Sequence, residues 1–211
     1  MAARIVAVAQ RKGGAGKTTL VAQLGVAWAL EGRRVALLDV DPQGSLSAWA
    51  KIRTEVRTAS APAIMAVQGW RLANEIDRLR PGYDLLVIDT PPHAETDARV
   101  AIRAADLIVI PLQPSPMDLW ATGATLDLVR QEKRRPLLVL NRLPARSNMI
   151  AFSHEKIARE GLPLAAAALG NRTAFAASIA DGAAVVETEP SGPAAQEIEA
   201  LAAEIAALIQ L

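Results

Sequence analysis

The sequence predicts a doubly wound α/β fold, in which helices cover both faces of a mostly parallel β-sheet. Three observations support this: short apolar runs rich in β-branched residues recur along the 211 residues, segments with helical periodicity separate them, and the runs are nearly continuous rather than alternating. Continuous apolar runs are typical of strands that are buried on both faces. Because 51% of the residues are hydrophobic and 21% are charged, we expect one packed domain over residues 1–211.

Strands and helices alternate in the predicted order. The apolar runs, each bounded by turn or cap signals, predict strands at residues 5–9, 34–39, 84–89, 107–111 and 137–141. Apolar residues at helical spacing predict helices at 18–31, 66–79, 96–105 and 119–132, and a last helix over 193–211. The last helix has an apolar stripe and only acidic charges, which favours core packing over binding to an anionic membrane.

The composition excludes several classes of protein. The chain has no cysteine, which excludes disulfides, thiolate zinc sites, thiol nucleophiles and iron–sulfur clusters held by thiolates. The formal net charge of +1 argues against a histone-like protein. No uncharged stretch approaches the roughly 18 residues of a membrane span, and the first apolar run is too short for a secretory signal, so we expect a cytoplasmic protein. His93 and His154 lack the neighbours that a metal or catalytic role requires.

A glycine-rich segment, residues 11–19, follows the first predicted strand and leads into a helix. It matches the phosphate-loop pattern G-x-x-x-x-G-K-[ST] at Gly16, Lys17 and Thr18, but Arg11 replaces its first glycine. The glycines allow successive backbone N–H groups to turn toward a polyphosphate at the positive end of the helix. Lys17 is then suited to the β- and γ-phosphates and the Thr18 hydroxyl to Mg²⁺.

The departure from the general pattern resembles the deviant Walker A motif of the ParA/MinD family of P-loop ATPases. The segment Lys12-Gly13-Gly14-Ala15-Gly16-Lys17-Thr18-Thr19 carries the likeness, which extends over essentially the whole chain and is strongest to small ParA proteins of the ParF and McdA type. The resemblance implies that Lys12 crosses a dimer interface to the ATP of a partner subunit. It also implies ATP and Mg²⁺ as cofactors.

Three further segments extend the resemblance. Asp39 and Asp41 end the second strand in a segment similar to the family's switch, where Asp41 corresponds to the carboxylate that orients the attacking water. Asp89 ends a strand similar to Walker B and corresponds to the residue that holds a water of the Mg²⁺ shell. The resemblance thus implies catalytic roles for Lys12, Lys17 and Asp41, and magnesium roles for Thr18, Asp41 and Asp89. The implied nucleotide-binding residues are Lys12, Gly13, Gly14, Ala15, Gly16, Lys17, Thr18, Thr19, Asp39, Asn141 and Arg142.

Positive charge is concentrated in one part of the chain. Residues 130–172 contain nine basic and three acidic residues, a local charge of +6 against +1 for the whole chain. Such asymmetry is typical of proteins that bind the phosphate backbone, although a solvated basic face gives the same pattern. The family resemblance favours nonspecific DNA binding by the ATP dimer and implies Arg142, Arg146 and Arg172 as contacts.

The sequence therefore predicts a ParA-type ATPase that forms a homodimer with ATP, binds DNA nonspecifically at the nucleoid and positions a cargo. An adaptor protein of the ParB or McdB kind would stimulate hydrolysis. Two alternatives stay open: an ATP-dependent ligase similar to dethiobiotin synthetase, and a membrane-surface positioning ATPase similar to MinD. The paired lysines and the switch segment favour the ParA type over the ligase, and the acidic last helix disfavours the MinD type.

Overall fold

The sheet consists of parallel strands only. A computed structural model describes residues 2–56, 62–92 and 95–211, and its strands are β1 (Arg4–Val8), β2 (Val35–Asp39), β3 (Ala63–Ala66), β4 (Leu85–Asp89), β5 (Leu107–Leu112) and β6 (Pro136–Leu140). They pair in the order β3-β2-β4-β1-β5-β6. Strands β2, β3 and β4 lie on one side of β1, and β5 and β6 lie on the other side. The strand order therefore reverses at β1, which leads into the glycine-rich segment, and a ligand site is expected at such a point of a doubly wound fold.

Helices connect the strands and cover the sheet. They are α1 (Lys17–Leu30), α2 (Ser45–Val56), α3 (Leu72–Leu79), α4 (Glu95–Ala104), α5 (Pro116–Gln131), α6 (Asn148–Arg159), α7 (Thr173–Ala180), α8 (Val185–Thr188) and α9 (Pro193–Ile209). A short 3₁₀ turn, Gly69–Arg71, precedes α3. No helix in the described part of the chain is long and apolar enough to span a membrane.

The strand register brings the predicted site residues to one edge of the sheet. Val8 of β1 pairs with Asp89 of β4, and Asp39 of β2 pairs with the same Asp89. The segment that follows β1 therefore begins beside both carboxylates. This edge is formed by the carboxyl ends of the strands, as the sequence predicted.

Two apolar cores lie on opposite faces of the sheet. Alternate residues of each strand point to opposite faces, so that Val6 joins the core under α1 and α9, and Ile5 joins the core under α3, α4 and α5. Trp28 of α1 is fully buried, and its indole N–H donates to the Ala202 carbonyl of α9 at 3.2 Å. Ile198 is also fully buried with the other core residues of α9, which confirms that its apolar stripe packs in the core.

The predicted strands match the observed ones within one residue at each end. The sequence analysis missed β3 and did not identify α2, α6, α7 or α8. The predicted helix over 66–79 was wrong in its first part, because Ala66 ends β3 and the helix begins at Leu72. His93 lies outside the described residues.

Candidate nucleotide-binding site

The glycine-rich segment forms a loop that opens into a cavity at the N-terminus of α1. Gly16 is the N-cap of α1 with a backbone φ of 92°, in the left-handed region that favours glycine, and no side chain caps the helix. The first N–H groups of α1 therefore lack intrahelical partners. They lie at a cavity of about 360 Å³ whose lining includes the loop residues 14–19 and Asp41. This arrangement suits the oxygens of a phosphate group.

Asn141 supports the glycine-rich loop through a side-chain hydrogen bond. This residue follows β6, and its side-chain amide donates to the Ala15 carbonyl at 2.9 Å. A Cβ on Gly16 would lie 2.5 Å from the Asn141 Nδ2 atom. Any other residue at position 16 would therefore collide with this support as well as strain the backbone.

Lys17 is the buried cation of the cavity. Its side chain is buried, and burial lowers its pKa below the ordinary value, while the charges of Asp89 and Asp41 oppose that shift. A desolvated ammonium beside two carboxylates is well placed to bind a polyphosphate, because low water content strengthens its attraction to negative charge.

Asp89 and Thr18 form the acidic side of the cavity. The Thr18 hydroxyl donates to Asp89 Oδ2 at 2.7 Å, and Asp89 Oδ1 is buried without a hydrogen-bond partner. Burial raises the pKa of Asp89 to about 7, against a hydrogen bond from Thr18 that lowers it, and the nearby Asp39 charge raises it further. An orphaned buried carboxylate oxygen indicates a missing cationic or hydrogen-bonding partner.

This pair of side chains fits a magnesium ion. The described residues contain no group of three or more histidine, aspartate or glutamate side chains suited to a metal. Mg²⁺ in phosphate-binding sites needs no such group, because it takes one or two protein oxygens and completes its shell with water and phosphate. The Thr18 hydroxyl and the free oxygen of Asp89 would hold it.

The switch segment, residues 39–44, follows β2 and is fixed by Asp39. One Asp39 oxygen accepts from the Ser47 backbone N–H at 2.8 Å and from its hydroxyl at 2.6 Å, and the other accepts from the Asp41 N–H at 3.3 Å. One oxygen is thus bound to Ser47 of α2 and the other to the switch segment itself, and Asp39 does not line the phosphate cavity. These contacts favour a positioning role for Asp39, and the nucleotide contact that the resemblance implies for it stays a prediction. Asp41, by contrast, does line that cavity and accepts from the Gln43 N–H at 3.0 Å.

Lys12 points away from the phosphate cavity of its own chain. Its Nζ donates to Asp118 Oδ2 of α5 at 2.6 Å, and Lys12 is absent from the cavity lining. Burial disfavours the Asp118 carboxylate, but the hydrogen bonds from Lys12 and Ser115 outweigh it, so that the pKa of Asp118 lies below its ordinary value. The side chain of Lys12 is 37% exposed, which leaves it accessible from solvent.

A buried polar row on α5 holds the start of the loop, and the sequence analysis did not find it. Thr125 donates to Gln10 Oε1 at 3.1 Å and accepts from the Arg11 N–H, while Gln10 donates to Thr122 at 3.0 Å. With Asp118, these threonines stand at positions i, i+4 and i+7 of one helix face. Polar residues at that spacing on a helix whose other inner residues are apolar were the available signal.

A second cavity, of about 510 Å³, continues from the phosphate cavity. Both are lined by Gly16, Thr19 and Arg142, and the second also by apolar residues from the loop before α7, from α7 itself and from α9. Its size and mostly apolar lining suit the base and ribose of a nucleotide. Asn141 and Arg142, which the resemblance implies as nucleotide-binding residues, lie in its wall.

The three arginines predicted to contact DNA have different surroundings. Arg142 lines both cavities. Arg172 also lines the larger cavity, and Glu197 of α9 holds its guanidinium through bonds of 2.6 and 3.0 Å. Arg146 is exposed on the loop before α6. The structure therefore brings two of the three to the walls of the nucleotide cavities, where both are exposed.

Comparison with known proteins decides the family. The model of the CobQ/CobB/MinD/ParA nucleotide binding domain matches residues 6–206. The chain belongs to this family. A curated relative, maintenance of carboxysome distribution protein A from Halothiobacillus neapolitanus, is 31% identical over 212 residues, covering 95% of either chain.

Solved structures agree with the CobQ/CobB/MinD/ParA assignment at the level of the fold. The cell division ATPase MinD of Pyrococcus furiosus superposes with a TM-score of 0.81 at 22% identity, covering 97% of this chain and 99% of that one. A variant of Cyanothece McdA in complex with ATP gives a TM-score of 0.76 at 16% identity, covering 99% and 97%. The predicted P-loop fold and family resemblance are thus confirmed.

Proposed function

We propose that this protein is a ParA-type ATPase that dimerises around ATP, binds DNA nonspecifically and positions a cargo until an adaptor stimulates hydrolysis. One observation carries the proposal: of two lysines in one phosphate loop, Lys17 enters the cavity and Lys12 is turned outward onto α5. A single-subunit nucleotide enzyme has no evident use for the second lysine. The ATP-bound Cyanothece McdA structure supports ATP as the nucleotide.

The residues divide the work of hydrolysis between them. The N–H groups of the loop and Lys17 would hold the β- and γ-phosphates, and Asn141 would hold the loop in place through its hydrogen bond to Ala15. When bound, Mg²⁺ would offset the negative charge of the phosphates. Thr18 and Asp89 would hold the ion. Asp41 would accept a hydrogen bond from the attacking water, whose oxygen bonds to the γ-phosphorus as the bond to the β–γ bridging oxygen breaks, giving ADP and phosphate.

Dimerisation would exchange one partner of Lys12 for another. Within the chain, Lys12 is bound to Asp118, which stabilises both charges. Reaching the phosphates of a partner subunit requires that this ion pair breaks. The stronger charge of the triphosphate relative to the diphosphate would favour that exchange, which links the dimer to ATP and its dissociation to hydrolysis.

The cargo is inferred from the relatives. A relative that covers 95% of this chain is named for the distribution of carboxysomes, which favours a protein assembly over a plasmid. We propose an adaptor of the McdB kind as the stimulating partner and the nucleoid as the cellular location. No membrane partner is proposed, because the apolar stripe of α9 is buried in the core.

Two variants test the proposal together. Asp41→Ala should bind ATP and dimerise but turn over at least about 100-fold more slowly, since it lacks the water-orienting carboxylate. Lys12→Ala should bind ATP as a monomer, because the phosphate cradle of its own chain is intact. Sedimentation with ATP and phosphate release, in the presence of DNA, measure both.

The opposite results would contradict the proposal. An undiminished ATP dimer of Lys12→Ala would confine Lys12 to its own subunit. ATP turnover that requires a small amine or acid would favour the ligase alternative, and turnover stimulated by anionic vesicles would favour the MinD-like alternative.

A further inference from the structure

A basic cleft lies at the edge of the sheet opposite the nucleotide. It has a volume of about 310 Å³, and its charged lining residues are Arg4, Asp106, Lys133, Arg134 and Arg135. Arg4 begins β1, Asp106 precedes β5, and the other three precede β6, so the cleft lies at the amino ends of these strands. A strand of five residues separates it from the phosphate loop by about 17 Å.

Part of the positive charge of residues 130–172 is neutralised by ion pairs. Four of the nine basic residues form ion pairs with carboxylates: Arg130, Lys156, Arg159 and Arg172. Arg142 lines the nucleotide cavities, and Arg146 is exposed on the loop before α6, away from the cleft. The remaining three are consecutive and converge on the cleft, where Arg4 from the other end of the chain joins them.

The cleft keeps its cations free. In the part of the chain that the structure describes, Arg4, Lys133 and Arg134 form no ion pair, and Arg135 donates only to the Leu208 carbonyl at 3.3 Å. The one carboxylate of the lining, Asp106, already accepts from the Ile5 N–H at 2.8 Å. Glu132, next to Lys133, is bound to Arg99 and Arg103 of α4 instead.

The backbone at Lys133 shows that a lysine stands where a glycine fits better. Helices α1, α6 and α7 each end with the same pair of hydrogen bonds, and the residue after the cap is Gly32, Gly161 or Gly182, with φ of 84°, 62° and 63°. Helix α5 ends with the same pair of bonds, but its left-handed residue is Lys133, with φ of 53°. A side chain in this conformation is strained.

We propose that this cleft binds the phosphate backbone of duplex DNA, with Lys133, Arg134 and Arg4 as contacts. The inference rests on the proposed function, whose DNA site it names. The cations come from two chain segments: Lys133 and Arg134 are exposed, and Arg4 is half-buried. They are suited to successive phosphates and offer no base-reading geometry. An ATP dimer carries two such clefts, which raises its affinity for one polymer above that of a monomer.

The decisive variant is Lys133→Gly, because a DNA role and a structural role predict different results. Glycine relieves the left-handed strain, so its melting temperature should rise by about 2 °C. Loss of one phosphate contact should weaken DNA binding about eightfold for each cleft that is engaged in 0.1 M salt. Lys133→Arg should keep the affinity without the gain in stability.

A charge-reversal pair extends the test. The cleft variant carries Lys133→Glu and Arg134→Glu. The control, called the α6 variant, carries Lys156→Glu and Arg159→Glu, which change the net charge by the same amount within residues 130–172 but on α6. Both are titrated with ATP, Mg²⁺ and two unrelated duplexes of about 30 base pairs. We expect the cleft variant to lose at least 30-fold in affinity for both duplexes, the α6 variant to lose far less, and both to bind ATP as the wild type does.

The outcomes separate the two proposals. If the wild type binds neither duplex, the proposed function fails and the cleft assignment fails with it. If the wild type binds DNA but the cleft variant equals the α6 variant, only the cleft assignment is overturned. It is also overturned if the cleft variant loses binding to anionic phosphatidylserine vesicles while its DNA affinity is unchanged.

Discussion

At the scale of single residues, the two lysines of the loop show how little sequence distance separates different roles. Lys17 is buried beside carboxylates, and Lys12, five residues earlier, is bound to Asp118 on another element. The loop motif predicted Lys17, Thr18 and their cavity, because the chemistry of phosphate binding is local. The motif could not predict the partner of Lys12, which lies 106 residues away.

For the carboxylates, too, the sequence predicted the location but not the contacts. Spacing at strand ends was sufficient to place Asp39, Asp41 and Asp89 at one edge of the sheet. It could not distinguish Asp39, which binds the backbone and hydroxyl of Ser47, from Asp89, which keeps one oxygen free. That difference arises from the path of the chain after β2.

The raised pKa of Asp89 predicts how the stability of the unliganded protein depends on pH. The folded protein holds a proton on Asp89 up to about pH 7, and the unfolded chain releases it near 3.8, so stability falls as pH rises between these values. Between pH 5 and pH 8 this proton release should lower the free energy of unfolding of the wild type by roughly 3 kcal/mol, and Asp89→Asn should remove that loss. Urea denaturation at pH 5 and pH 8, without nucleotide or Mg²⁺, measures it.

Asp84 supplies the control for this measurement. Hydrogen bonds from Arg34 lower the pKa of Asp84 to about 2, so this group stays ionised from pH 5 to pH 8. Asp84→Asn should therefore leave the change in stability between the two pH values as in the wild type. Parallel behaviour of wild type and Asp89→Asn would show that Asp89 is ionised in the folded protein.

At the scale of elements, the strands were predictable and several helices were not. β2, β4 and β5 are fully buried, so their residues had to be continuously apolar. β3 is a four-residue edge strand with partial exposure, and its sequence carries no such constraint. The inner positions of α2 are Leu46, Trp49 and Arg53, and the charged third member interrupts the apolar pattern.

Arg53 explains why a charge stands at a core position. Its guanidinium donates to both oxygens of Glu187 at 2.8 and 2.9 Å and to the Gly182 carbonyl at 3.1 Å. These bonds attach α2, which follows the switch segment, to α8 and to the turn that precedes α8. Breaking such a buried pair from one side costs about 3 to 5 kcal/mol, since the other charge is left buried.

Gly182 lies against the backbone of α2, where a larger residue would be strained. The backbone φ of Gly182 is 63°, and a Cβ there would lie 2.6 Å from the backbone nitrogen of Arg53 and 2.8 Å from the Arg53 Cα. Gly182→Ala should therefore lower the free energy of unfolding by about 2 to 4 kcal/mol, from left-handed strain and displacement of α2. Gly32→Ala, also left-handed but with open space at its Cβ, should cost only about 1 kcal/mol. Equal losses in chemical denaturation would mean that α2 shifts freely.

At the scale of the whole molecule, the length of the strands separates the candidate nucleotide site from the basic cleft. Nucleotide residues lie at the carboxyl ends of the strands, and the basic cleft lies at the amino ends of β1, β5 and β6. The charge count of the sequence predicted an excess of cations over residues 130–172. It could not show which of them are neutralised, because Glu197, the partner of Arg172, lies outside that range.

This separation predicts that ATP acts on DNA binding through the number of clefts. Each phosphate contact contributes about 0.9 to the slope of log affinity against log salt concentration, so a dimer should give twice the slope of a monomer. Wild type and Lys12→Ala, both saturated with ATP and titrated on one duplex from 50 to about 200 mM salt, supply the two states. Calorimetry confirms that their ATP affinities match, and sedimentation that only the wild type is a dimer. Equal slopes from a proven dimer and a proven monomer would mean that the second cleft takes no part, and that ATP changes DNA affinity within one subunit.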